Sequence, residues 1–335
     1  MLTSRISMLA LSMAIVLPLA GVLAGTGEAQ PSFHLVKTVP LGGADKWDYL
    51  VYDQDDHRLF VSHGSEVTVL DSHEGTILGR IGGLTGAHGI ALVPELGRGY
   101  IANNDRATVF DLTSLAVVAE IPAGSGADAI TYDPASHRVF VMNGKAGSVS
   151  VIDPAANKVV ATIPLAGQPE FSAADGRGSL YINIESNREI VRLDTKTLTI
   201  AARWPISDCE APHGLAVDGE GRKLFSSCVN AKLMTVDADS GKIIAALPIG
   251  KGSDAVVYDP PRKRAYSSNG DGSLSMIAET EDGISALPPA TTAPGARTMA
   301  QDPANGRIFL VTNDRDQGRI VPGSVKALFF DPSDR

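Results

Sequence analysis

Ala127-Asp128-Ala129-Ile130-Thr131-Tyr132-Asp133-Pro134, Arg138-Val139-Phe140-Val141-Met142-Asn143, Ser148-Val149-Ser150-Val151-Ile152-Asp153 and Val159-Val160-Ala161-Thr162-Ile163-Pro164 are four short runs in succession. Each is β-branched or alternating, and each is closed by Asp, Asn, Pro or Gly, so each reads as an antiparallel strand. The same phrase recurs between Trp47 and Phe330 at a spacing near 40 residues. Aligned on the residue that opens the first strand, the repeats begin at Asp48, His88, Asp128, Glu170, His213, Asp254 and Arg297, with steps of 40, 40, 42, 43, 41 and 43 residues. A four-stranded unit cannot bury both faces alone. At this period it reads as one blade of a β-propeller, and the count predicts seven blades.

Turn chemistry agrees with that division. The first-to-second-strand turns read Asp53 followed by Arg58, Asp133-Pro134 by Arg138, Asp259-Pro260 by Arg264 and Asp302-Pro303 by Arg307. Asp111, Asp153, Asp194 and Asp237 close the third strands. An Asp carboxylate accepts from nearby backbone N–H groups, and Pro pre-sets φ for the next position. The last repeat runs out of chain after three strands, while His34–Gly42 copies the fourth-strand pattern of Val159–Leu165. The N-terminal segment is therefore expected to complete the last blade and close the ring, leaving no open edge. The expected class is all-β: a single seven-bladed propeller over residues 30–335, with repeats at 47–86, 87–126, 127–167, 168–211, 212–252, 253–295 and 296–332 plus 33–42.

Residues 1–29 read as an export signal removed by cleavage. Arg5 gives a positive start, Ile6 to Ala24 is mostly apolar with Pro18 inside it, and Gly27-Glu28-Ala29 supplies small residues for the peptidase. A periplasmic or secreted chain with no membrane span after cleavage follows as an expectation. The net charge of −9, spread through turns, argues against a nucleic-acid surface, which needs clustered Lys and Arg. The expected partner is a small molecule, an ion or a periplasmic protein, and the chain is expected to be monomeric. Cys209 enters the fifth repeat and Cys228 ends its second strand, both toward one rim. A disulfide, two free thiols, or soft metal ligands beside His213 are the alternatives, and an oxidising compartment favours the disulfide.

Tyr100-Ile101-Ala102-Asn103, Phe140-Val141-Met142-Asn143 and Phe309-Leu310-Val311-Thr312-Asn313 resemble the tetrapeptide of the YVTN-repeat propellers. Asp208–Ala216, Ser267–Gly272 and Ile320–Ser324 are similar to phrases of the bacterial YncE-type branch. The resemblance implies a seven-bladed exported or periplasmic protein and no particular reaction. Three other propeller branches lack their residues here. A histidine-lined copper cluster has only His88 and His213 at ring positions, Cys-x-x-Cys-His for haem is absent, and Trp-rich quinone-cofactor repeats have only Trp47 and Trp204.

The first strands of a propeller run along its channel, so Asp48, His88, Asp128, Glu170, His213, Asp254 and Arg297 are expected to converge at one mouth. Convergent polar groups in a concavity are the default ligand site. The same residues could instead bond neighbouring blades and channel water, a purely structural role. The replacement of Asp by His, Glu or Arg in four of the seven repeats favours a site over decoration. A third reading is a metal-dependent hydrolase or lyase. In it His88, Glu170 and His213 are the candidate ligands of a divalent metal ion, another carboxylate is the base, and Arg297 orients an anionic substrate. No His-Glu-x-x-His, Ser-His-Asp or phosphate-loop motif supports catalysis. The Asn313–Gly323 loop and Trp47 border the same mouth, as a candidate lid and a stacking platform.

Overall fold

Strand by strand, the alternation and the Asp turns become antiparallel meanders. In this computed structural model Met1, residues 32–43 and residues 46–333 are described, so the expected export signal at residues 1–29 lies outside them apart from Met1. Among the described residues of Pro31–Arg335 the regular structure is all β except for two single turns of 3-10 helix, Pro94–Leu96 and Glu185–Asn187. Among the described residues no helix is long and apolar enough to cross a membrane.

The fold is an all-β propeller of four-stranded antiparallel blades. Four repeats form separate four-stranded sheets in chain order, opening with Trp47–Asp53, Pro169–Ala174, Pro212–Asp218 and Ser253–Asp259. The second strand of each is buried on both faces; all six residues of Ser179–Ile184 are buried. The outermost strand alternates exposed with half-buried or buried positions, as in Lys158–Pro164, because its outer side meets water. The separate sheets count six rather than the seven expected, leaving aside a short hairpin. Arg98–Asp111 joins the second and third strands of the second repeat, Val117–Asp133 runs from that repeat's fourth strand into the first strand of the third without a break, and Asn104 pairs with Ala127 while Arg106 pairs with Pro122. The second and third repeats therefore share one six-stranded sheet. Asn104 at φ 58° and Gly126 at φ 68° make this physically accessible, since left-handed residues let the backbone turn a corner and keep its pairing.

The inner strands touch in sequence. Trp47–Asp53 contacts Ala87–Val93, which contacts Val117–Asp133, and contacts continue through Pro169–Ala174, Pro212–Asp218, Ser253–Asp259 and Met299–Gln301 back to Trp47–Asp53. The last sheet joins both ends of the described chain. Phe33–Pro40 pairs antiparallel with Lys326–Pro332, from Phe33 opposite Pro332 to Pro40 opposite Lys326. Between neighbouring sheets lie small cores. Phe60 and Phe110 meet at 5.8 Å between the first two repeats, and Phe309 and Phe329 at 4.9 Å in the last. Each fully buried phenylalanine contributes roughly 1.5–3 kcal/mol. The Asp turns form as expected: Asp111, Asp153, Asp194 and Asp237 each accept from backbone N–H groups two and three residues on, and Asp71 does the same.

Candidate functional site at the channel mouth

The ring residues owe their direction to a repeated irregularity. In the first strand of six repeats the ladder slips just where the ring residue stands: between Trp47 and Leu50, Ala87 and Ile90, Ala127 and Ile130, Pro169 and Ser172, Pro212 and Leu215, and Ser253 and Ala255. A bulge frees a residue from the pleat and re-aims its side chain. Asp48, His88, Asp128, Glu170, His213 and Asp254 all lie in these slips. Arg297 precedes the short strand Met299–Gln301, and its carbonyl accepts from Ala255 N at 3.1 Å, which fixes it against the sixth repeat.

The side chains interact around the mouth. His88 Nδ1 lies 2.6 Å from Asp48 Oδ2 and 3.5 Å from Asp128 Oδ1. His213 Nδ1 lies 3.3 Å from Asp254 Oδ1, and Arg297 Nε lies 3.1 Å from Asp254 Oδ2. Two groups thus form, one of Asp48, His88 and Asp128, the other of His213, Asp254 and Arg297. Their fields overlap, because Asp128 feels Asp254 and His213, and Glu170 feels Asp128 and His213. Glu170 makes no hydrogen bond or ion pair among the described residues.

Burial dominates the protonation chemistry. It pushes the Glu170 carboxyl up to about 8 and the Asp128 carboxyl up to about 6, with neighbouring carboxylates adding to both. Burial also raises Asp48, against the opposing hydrogen bond from His88. His88 and His213 are raised in turn, first by their bonds to Asp48 and Asp254. At neutral pH the mouth therefore holds a protonated Glu170 and histidines biased toward imidazolium. Such a site can bind a cation by releasing protons, or hydrogen-bond a neutral ligand.

Of the metal-ligand candidates, His88, Glu170 and His213 are not gathered at one point. The groups within ligand reach are Asp48, His88 and Asp128, whose donor atoms all lie within 4.8 Å of one another. One imidazole and two carboxylates suit a divalent ion of hard or borderline character. Sequence reasoning missed Glu185, whose Oε1 lies 3.7 Å from His213 Nε2. It comes from the second-to-third-strand turn of the fourth repeat, which no equal-position alignment would select. It also missed the floor. Tyr49 and Phe171, each following a ring residue, meet with centroids 4.7 Å apart. Burial, and then the carboxylates of Asp128, Asp48, Glu170 and Asp254, hold the Tyr49 phenol well above the usual range.

A cavity of about 560 Å³ adjoins the ring, lined among others by Lys46, Trp47, Gly295, Arg297, Arg315 and Ile320. The Asn313–Gly323 loop reaches this cavity through a small hairpin, Arg315–Asp316 with Arg319–Ile320. A concavity of about 480 Å³ at the opposite ends of the inner strands is lined by Tyr52, Asp55, Pro94 and Tyr132, with no histidine or guanidinium among the described residues that line it. The chemistry is concentrated at the first mouth. Cys209 and Cys228 form a disulfide with Cα atoms 5.2 Å apart, and both residues are buried. Neither thiol is available as a metal ligand.

No family model matches the chain. It is 26% identical over 152 residues to the "Uncharacterized protein YncE" of Salmonella typhi and, at the same identity, to that of Salmonella typhimurium strain LT2. The match covers 43% of this chain and 43% of theirs, so the chain spans less than half the length of the curated relatives it matches. Among solved structures, the RRP9 WD40 repeats superpose with a TM-score of 0.75 at 11% identity, covering 90% of this chain and 98% of that one. Kuenenia stuttgartiensis hydrazine synthase superposes with a TM-score of 0.70 at 15% identity, covering 80% of this chain and 93% of its own. At these identities the two structures establish the propeller fold, and the partial YncE match is a weak homology.

Proposed function

We propose that this chain is an exported binding protein of the YVTN-repeat, YncE-like type that takes a small cationic or polar ligand at the channel mouth. The observation that carries this reading is Glu170: a half-buried carboxyl in a slipped inner strand with no partner among the described residues, raised to about 8 by desolvation and by Asp128, with His213 opposing. A structural ring residue would be expected to bond a neighbouring blade, and among the described residues Glu170 bonds none. The two histidine–carboxylate clusters beside it make an asymmetric lining that suits one ligand orientation. In the blade count we read the six-stranded sheet as two fused units, which keeps seven repeats. The YncE likeness, the apolar N-terminus and the disulfide support export.

A metal-dependent hydrolase or lyase is the second reading, favoured by the Asp48, His88 and Asp128 grouping. Those three would hold the ion, and Glu170 would hold or give up a proton beside it. One experiment separates the readings. Protein isolated without chelator or affinity-tag metal is analysed for bound metal, then titrated with Ca²⁺, Mn²⁺ and Zn²⁺ by calorimetry. Binding that is lost in His88→Ala supports the metal reading. Binding of organic cations without metal, weakened in Glu170→Gln, supports the ligand reading. If neither class binds, the ring is structural and both readings fail.

A further inference from the structure

We propose that the cavity beside the ring is a second binding site, one for a small aromatic carboxylate. Of the seven ring residues it shares only Arg297 among the described lining. Among the described residues its lining carries three cations, Lys46, Arg297 and Arg315, and no carboxylate. In a chain of net charge −9 that is a local reversal of sign, and it sits directly against an acidic ring. The arrangement favours an anion and repels the cations that the ring attracts. Arg297 Nε lies 3.1 Å from Asp254, its side chain is 55% exposed, and it lines the cavity. Arg315 is exposed on the hairpin that overhangs the same space. Two guanidinium groups suit a carboxylate, which they can grip through paired N–H groups.

The remaining wall selects for a flat apolar body. Trp47 and Ile320 line it on two sides, and Ile320 is an exposed hydrophobic with 39% of its surface accessible. The Trp47 indole Nε1–H is buried without an acceptor among the described residues, so it is the ring rather than this donor that Trp47 offers to the cavity. Gly295 keeps the floor open. Its φ is +83°, and a Cβ there would stand 3.7 Å from Trp47 Cζ2 and 3.8 Å from an Arg315 terminal nitrogen, within the space the ligand needs. A volume of about 560 Å³ accommodates a single- or double-ring acid.

Calorimetry with benzoate tests the site, with cyclohexanecarboxylate, inorganic phosphate and benzylammonium as comparison probes. We expect saturable benzoate binding that falls at least tenfold in Arg315→Ala and again when Lys46→Ala is added. Cyclohexanecarboxylate and phosphate should bind at least fivefold more weakly, and benzylammonium should not compete with benzoate. Asp48→Asn with Asp128→Asn should leave benzoate binding intact while removing any cation response of the ring, so failure at the ring is distinguishable from failure here. Absence of benzoate binding, equal affinity for phosphate, or binding indifferent to Arg315→Ala would each overturn the proposal.

Discussion

Tyr49 and Phe171 meet across the channel with ring centroids 4.7 Å apart, although they come from the first and fourth repeats. Tyr49 also packs against the core between the third and fourth repeats, and Phe171 against the cores of the fifth and last. The pair ties opposite sides of the ring together and forms a floor beneath the polar mouth. Phe171→Ala should destabilise the protein by about 1–3 kcal/mol, less than a fully buried phenylalanine because the site is half-exposed. In a double-mutant cycle with Tyr49→Ala, the coupling should be about 0.5–1.5 kcal/mol in chemical denaturation. Additive effects would mean that the rings do not support one another.

Glu170 makes stability depend on pH with a definite sign. Its carboxyl is raised from 4.5 in the unfolded chain to about 8 in the folded protein. The folded state therefore holds its proton more tightly, and stability from this group is complete below about 4.5 and lost as pH rises toward 8. Glu170→Gln keeps the uncharged form at every pH. The variant should match the parent near pH 4 and exceed it near pH 8, by on the order of 2–4 kcal/mol in denaturant titrations. Equal stabilities at pH 8 would show that water or a neighbouring cation already compensates the charge.

The Cys209–Cys228 disulfide ties the loop that enters the fifth repeat to the end of that repeat's second strand, with a sequence separation of 19 residues. Closing a loop of that size contributes roughly 3 kcal/mol by the chain-entropy argument. Reduction should lower the melting temperature and keep the far-ultraviolet β signal, since the other inter-blade cores persist. Intact mass should rise by two hydrogens on reduction. A melting curve indifferent to reductant would mean that the buried cysteines hold their place by packing alone.

The repeat spacing made the inner ring legible because equal position in equal units places side chains at one height. That reasoning expects seven residues at one mouth; in the structure Asp48, His88 and Asp128 form one contacting group and His213, Asp254 and Arg297 another. It could not foresee that Asn104 and Gly126 would carry two strands around a corner and merge the second and third repeats, since a left-handed residue can equally end a strand. Tyr49 and Phe171 were hidden for another reason. An aromatic after a polar strand start looks like inter-blade core, and only closure of the ring brings two of them together. A signal was nonetheless present, because the residues at the same offset in four other repeats are Gly89, Ala129, Gly214 and Ala255, too small to fill the axis.

Two of those small residues are required by backbone approach. A Cβ on Gly214 would lie 2.7 Å from Val256 N and 2.8 Å from Asp254 O, and one on Gly89 would lie 2.7 Å from Asp128 O and 2.9 Å from Ile130 N. The clashing atoms are main chain of the neighbouring repeat, which cannot rotate away, so relief must come from separating the inner strands. Gly214→Ala should cost about 1–3 kcal/mol as overpacking. Because the displaced strand carries Asp254, which joins His213 to Arg297, the variant should also weaken ligand binding at the mouth. Gly89→Ala should act in the same way on Asp128 and its contact with His88. A glycine on the exposed rim offers the control: Gly82 has nothing within 4 Å of the added carbon, and Gly82→Ala should leave both melting and binding unchanged. Equal effects at Gly82 and Gly214 would show that close backbone approach at the inner ring does not set the geometry of the site.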